Sequence, residues 1–206
     1  MRGARPTVPV VLVHALLAVV VLGAVALWGT GSDPAGAATQ VTAPDPDPRL
    51  PGPESLALVR PPGTVVLDNT RVKRGDVPAT VLPEAEAQAV TAAGVVSVKA
   101  LVSRDGAVSR GVWQLAVRNG GDAGDALRAI DDLYAAGGWQ PADSPAPGVV
   151  VRAQVPGDGQ PYSGYRAHYV RGPYLIRIEA YGTAKALVDR EFAALARRQL
   201  AEWPPR

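Results

Sequence analysis

The chain contains no cysteine. That absence removes disulfides, cysteine-ligated zinc, iron–sulfur centres and thiol catalysis together. It also removes attachment through a lipid-modified cysteine. Phenylalanine occurs once and histidine twice. Lysine and arginine total 21 against 19 aspartates and glutamates, for a net charge of +2. The arginines are interleaved with acids, and no basic run exists that would track phosphates. Nucleic acid is therefore not an expected partner. G-x-S-x-G, P-loop, H-E-x-x-H and EF-hand signatures are missing too, so no cofactor or metal is expected.

What is present begins with a long apolar run. Residues 1–7 carry Arg2 and Arg5, and Val8 to Trp28 reads VPVVLVHALLAVVVLGAVALW without a formal charge. About 21 residues suffice to cross a bilayer core of roughly 30 Å as a helix. The first charge beyond it is Asp33 and the next basic residue Arg49. The positive-inside rule then keeps residues 1–7 cytoplasmic and sends the rest outside, with membrane lipid as the partner of this segment and Trp28 as an interfacial anchor. Two outcomes are open: an uncleaved single-pass anchor, or a signal peptide cut near Ala37 and a secreted product. The run is longer than a usual signal core, which favours the anchor. The small-residue stretch Ala35-Gly36-Ala37 favours cleavage. His14, within the run and without a charged partner, reads as a tolerated neutral side chain.

Residues 29–55 form a Pro-rich linker. Its middle, Ala43 to Pro48, alternates proline with aspartate, which resists helix and sheet and favours an extended spacer at ~3.1 Å per residue. Asp45 and Asp47 read as solvated charges rather than a cation site.

Patterned sequence occupies 56–206, and roughly 120 to 150 residues are enough for one core. Thr64–Leu67 and Thr70–Lys73 are short strand candidates around Asp68-Asn69. Pro83 opens a short Ala-rich helix that Gly94 stops, its acids suiting the helix dipole. Val95 to Val102 is a strand. A two-residue Asp105-Gly106 loop pairs Val98 with Trp113 and Val96 with Leu115. Residues 122–136 have helical period, with Ala126, Leu127, Ile130, Leu133 and Tyr134 inward and Asp131 and Asp132 toward solvent. The turn Asn119 to Asp122 could offer backbone N–H groups to an anion or simply cap this helix with Asp122. A strand from Val149 and a hairpin from Tyr165 to Tyr181 follow, and Thr183 caps a last helix whose stripe is Val188, Phe192 and Leu195. The expected class is α+β: one antiparallel sheet built from hairpins, with helices packed on one face. Gly111–Trp139 (strand, then helix, then tryptophan) resembles Arg171–Trp203 in element order and suggests a pseudo-duplicated ββα unit.

The last hairpin carries the best candidate chemistry. An even loop sets Arg166 opposite Glu179 and His168 opposite Arg177, on one face. A histidine among charges could move protons, and two arginines could hold an anion. A solvent face with cross-strand ion pairs explains the same pattern. On the other face Tyr169 and Ile176, with Phe192 of the last helix, could line an apolar pocket or pack as core.

With its Arg-flanked span, Pro-rich spacer and compact domain, and with the hairpin pattern YVRGPYLIRIEA at Tyr169–Ala180, the chain resembles membrane-anchored or secreted actinobacterial envelope proteins of unknown function. The resemblance implies an extracytoplasmic α+β domain and carries no catalytic residue. The first functional expectation is a non-catalytic interaction or sensing module with an envelope protein as partner. The second is a binder of a small apolar or lipidic ligand at Tyr169, Ile176 and Phe192. The third is an enzyme using His168 with Arg166 and Glu179.

Overall fold

The computed structural model describes residues 58–72, 75–156 and 161–205. Internal contacts divide the chain into Met1–Asp45 and Pro46–Arg206, and every described residue belongs to the second unit. Val8, Trp28, the cleavage site near Ala37 and the linker at 29–55 lie outside the described residues. Among the described residues no helix is long and apolar enough to cross a membrane.

The elements in chain order are β1 (Thr64–Asp68), α1 (Pro78–Val81), α2 (Glu84–Ala92), β2 (Val95–Asp105) and β3 (Val108–Val117). They continue with α3 (Ala123–Ala136), β4 (Gln140–Pro141), β5 (Val150–Gln154), β6 (Ser163–Arg171), β7 (Tyr174–Gly182) and α4 (Lys185–Glu202). The seven strands make one sheet in the order β1-β2-β3-β7-β6-β5-β4, with antiparallel pairing throughout. The class is therefore α+β, an antiparallel hairpin sheet with packed helices. After the β2–β3 hairpin, α3 crosses the sheet, and the meander β4 to β7 returns to set β7 beside β3 at the centre.

Both hairpin loops have two residues with glycine first. Gly106-Ala107 joins β2 to β3 and Gly172-Pro173 joins β6 to β7. Gly106 and Gly172 have φ of 53° and 56°, and no non-glycine described here has positive φ. A type II′ turn asks for positive φ only at its first central residue. A type I′ turn at Asp105-Gly106 would have forced Asp105 into that region. The observed register pairs Val98 with Leu115 and Ala100 with Trp113. Partners thus differ by two residues from the sequence expectation, an even number that keeps every side chain on its expected face.

Helices cover both faces of the sheet rather than one. On the upper face α2 and α3 bury Val90, Ala126, Ile130 and Tyr134 against Val98, Ala100, Trp113, Leu115 and Leu175. On the lower face α4 lays Val188, Phe192, Leu195 and Ala196 over Val112, Tyr169, Ile176 and Ile178. Each fully buried large aliphatic here contributes about 1.5–3 kcal/mol. The upper face had been expected to meet solvent because β6 and β7 set four polar side chains there. Glu86 of α2 supplies the second carboxylate that these groups need, and the face can be roofed. Both ranges hold a strand followed by a helix, but α3 and α4 lie on opposite faces, so the likeness is of element order only.

Local differences have local causes. Residues 70–72 turn instead of forming a strand, because Asp68 Oδ1 accepts from the Thr70 backbone N–H at 3.1 Å and its hydroxyl at 2.6 Å, an Asx-type capture of the chain. Asp122 caps α3 by accepting from the Gly124 N–H at 2.8 Å. Asp131 is not left to solvent: Arg152 Nε and Nη2 donate to its two oxygens at 2.6 and 2.7 Å, fastening α3 to β5. Thr183 does not cap α4. Ala184 occupies the cap position without a side-chain bond. The lead-in at 58–62 is tied beneath the sheet: Leu58 and Val59 pack on the lower core, Val59 N–H donates to Gln199 Oε1 at 3.1 Å, and Ser103 Oγ donates to Pro62 O at 2.6 Å.

Buried Asn69 clamps the loop after β1 onto β2. Its Oδ1 accepts from Ala100 N–H at 2.6 Å, and its Nδ2 donates to Val98 O at 3.1 Å and Asp76 Oδ2 at 2.7 Å. Asn69→Ala strands a buried N–H and is expected to cost about 1–3 kcal/mol. Urea unfolding checks it, as a lower midpoint at an unchanged slope.

Candidate functional site

The four polar residues read from the last hairpin are brought together, in the register the sequence implied. Arg166 faces Glu179 and His168 faces Arg177 across β6 and β7. They are not at a solvent surface. His168 and Arg177 are each 1% exposed and Glu179 4%. Burying two guanidinium groups demands counter-charge within reach, and one source comes from a helix the sequence had not tied to the site. Glu86 of α2 accepts from Arg166 Nη1 through Oε1 at 2.6 Å, and its Oε2 stands 2.9 Å from Arg177 Nη2. A signal for it existed: Glu86 lies four residues before the core residue Val90, so helical period puts this carboxylate on the apolar side.

Glu179 completes the quartet. Its Oε2 lies 3.4 Å from Arg166 Nε and 4.0 Å from Arg177 Nη1. Its Oε1 accepts from the Trp113 indole N–H at 2.9 Å. This bond runs directly above Gly111, the residue paired with Glu179 in β3. A Cβ on Gly111 would stand 2.7 Å from Trp113 Nε1 and 2.9 Å from Glu179 Oε1, so only glycine admits the approach. Aromatic rings surround the arginines. The Arg166 guanidinium carbon lies 4.7 Å from the Tyr134 ring centre and 4.9 Å from that of Trp139, within cation–π range.

The quartet sums to zero charge, and that balance sets the ionisation of Glu86 and Arg166. Burial alone would raise the Glu86 carboxyl, but the Arg177 and Arg166 guanidinium groups outweigh it and hold the group below its usual range. Burial works against charge on Arg166 as well, yet Glu179 and Glu86 keep it above its ordinary value. His168 is the opposite case. Burial first, then the charges of Arg177 and Arg166, push it well below the usual histidine range. Its Nε2 accepts from Arg177 Nε at 3.2 Å, so the neutral ring carries its proton on Nδ1. Among the described residues His168 Nδ1 has no hydrogen-bond partner, while Glu86 Oε2 and Arg177 Nη2 pair with each other as ions at 2.9 Å.

Beside the quartet opens a cleft of about 360 Å³. Glu86, Arg166, Arg177 and Glu179 line it together with Trp113 and Trp139, and Tyr162 and Tyr181 stand at its mouth, 52% and 38% exposed. His168 is not among the lining residues. A ligand in the cleft meets Arg166 and Glu179 but has no access to the imidazole, so the triad expected for an enzyme centred on His168 does not converge on one space. Tyr169, Ile176 and Phe192 sit together on the lower face, buried beneath α4, and none of them lines this cleft. The Tyr169 hydroxyl donates to Trp203 O at 2.7 Å, which ties β6 to the end of α4. Among the described residues no group of three or more His, Cys, Asp or Glu side chains is placed to hold a metal ion.

No protein-family model matches the chain. The search of curated proteins found no match. Among solved structures the chain resembles the extracellular domain of PknH from Mycobacterium tuberculosis, at 13% identity and a TM-score of 0.40, over 71% of this chain and 81% of that one. A likeness this loose says nothing of function or location.

Two outcomes follow from the quartet. Glu86→Gln leaves buried Arg177 and half-buried Arg166 facing one carboxylate and is expected to destabilise the domain by about 3–5 kcal/mol in chemical unfolding. For His168, the folded value lies below the unfolded one of about 6.5. Under that pH the unfolded chain takes up a proton that the folded chain refuses. Stability is therefore full above about pH 6.5 and falls as pH drops, approaching 1.4 kcal/mol per unit. Urea unfolding from about pH 8 to pH 5 reads the slope, which His168→Gln should flatten.

Proposed function

We propose that the domain is a non-catalytic recognition or sensing module, held outside the cytoplasm by its N-terminal apolar segment, and that it receives a small polar ligand in the cleft over the quartet. One observation carries this reading. The cleft is lined by charges that already satisfy one another and are fixed from three directions: by α2 through Glu86, by β3 through Trp113, and by the β6–β7 register. Such groups are preorganised to present donors and acceptors at set positions. They are poorly suited to proton transfer, since Glu86 and Arg166 are both stabilised in their charged forms. The exposed tyrosines at the mouth add apolar contact of the kind that recognition sites use.

Location outside the cytoplasm rests on the sequence: two arginines before the apolar run and no basic residue after it until Arg49.

Both halves can be tested on the full chain. Small-molecule extracts below about 1 kDa, fractionated and added to the protein, should include a fraction that raises the unfolding temperature. Ligand at roughly 100 times its Kd adds about 2.7 kcal/mol. The rise should shrink in Tyr162→Ala and Tyr181→Ala. A screen in which no fraction stabilises the wild type sinks the reading. For location, the lack of native cysteine makes Thr183→Cys, on an exposed position, a unique label site. A membrane-impermeant maleimide should modify it in intact cells. Labelling only after lysis would place the domain inside.

A further inference from the structure

The character of the cleft narrows what it can hold, and this step rests on the cleft being a ligand site. We infer that its ligand is neutral and polyhydroxylated, a sugar, with hydroxyls on the quartet and C–H faces against the aromatic rings.

The first ground is charge. Two arginines and two glutamates are in contact at 2.6 to 4.0 Å. An anion must pull a guanidinium from its carboxylate, and a cation must do the reverse. Either leaves a partner buried and uncompensated. A zwitterion has to open two pairs at once. A hydroxyl opens none, because it donates to a carboxylate lone pair and accepts from a guanidinium N–H while the ions stay together.

The second ground is that the lining pair is already closed. Glu86 Oε2 and Arg177 Nη2 meet as ions at 2.9 Å, on residues more than nine-tenths buried. Arg166 is the more open arginine, its side chain 20% exposed, and its Nη1 and Nε face Glu86 and Glu179. A guanidinium has five N–H donors, so Arg166 keeps donors for a hydroxyl while its ion pairs stay intact.

The third ground is the aromatic lining. Trp139 holds Arg166 over its ring at 4.9 Å, and Tyr162 and Tyr181 stand exposed at the mouth. Single aromatic faces next to hydrogen-bonding groups match a molecule with a polar edge and an apolar C–H face. The volume of about 360 Å³ admits one or two pyranose rings.

The test uses the full-length, ¹⁵N-labelled chain in a detergent without a sugar headgroup. Maltose, N-acetylglucosamine, diglycine, inorganic phosphate and adenosine are titrated separately. The indole N–H signals of Trp113 and Trp139, assigned with Trp→Phe variants, are followed. At least one sugar should move both signals saturably. Tyr181→Ala, at the exposed mouth, should weaken that binding about five- to tenfold without changing the unfolding temperature. If diglycine, phosphate or adenosine moves these signals and neither sugar does, the sugar assignment is wrong while the cleft remains a ligand site. If no probe moves them, the sugar assignment is also overturned, and the extract screen alone then decides whether the cleft binds anything. Sugar binding that is unchanged in both Tyr162→Ala and Tyr181→Ala would put the sugar elsewhere and overturn the inference.

Discussion

A guanidinium group cannot be taken out of water alone, and Arg177 sits fully buried on a central strand of the sheet. Much of the upper face follows from that constraint. Two carboxylates must reach it. Glu179 can do so from the same strand only if it is turned and held, which the Trp113 indole does. Trp113 in turn needs the bare backbone of Gly111 beneath the bond. Glu86 can reach it only if α2 is docked at one particular height over the sheet, and that docking is supplied by the burial of Ala87 and Val90. Hydrophobic packing and charge pairing therefore specify the same placement of α2. The pairs need not add net stability over an apolar core of the same shape. They make any other placement of the helix costly.

How far this was legible in the sequence depends on the range of the interaction. The β6–β7 register could be read because Gly172-Pro173 suits a tight turn and because alternation separates Tyr165, Ala167 and Tyr169 from Arg166 and His168. So Arg166, His168, Arg177 and Glu179 were recognisable as neighbours. Their burial was not, since the neutralising Glu86 is 80 residues from Arg166 along the chain, and a row of charged side chains in a strand otherwise reads as solvent-facing. The β2–β3 loop was displaced because two turn types compete for Asp105-Gly106-Ala107, and only one of them spares a non-glycine residue from positive φ. The expected strand begins at Thr70, and its described residues 70–72 turn instead, because Asp68 bonds to Thr70 and competes with any ladder; Lys73 lies outside the described residues. Tyr169, Ile176 and Phe192 were legible as an apolar group, and they pack as the lower core.

The same electrostatic closure bears on what the site can do. A group used for proton transfer needs both access and a protonation state close to changing at working pH. His168 has neither, held neutral and out of the cleft. Glu86 and Arg166 have access, but each holds the other in its charged form. What remains is a fixed pattern of donors, acceptors and rings, suited to discriminating by shape and hydrogen bonding.

The lead-in residues 58–62 run under the lower face, while the cleft lies on the upper one. The sheet is thus a partition between the face that holds the entering chain and the face that is open. A pull on the chain at Leu58 falls on the Val59–Gln199 and Pro62–Ser103 bonds and on α4 before it reaches any residue of the cleft. Strand β7 belongs to both sides, carrying Arg177 and Glu179 above and Ile176 and Ile178 below. A displacement of its backbone at either surface is mechanically a displacement at the other.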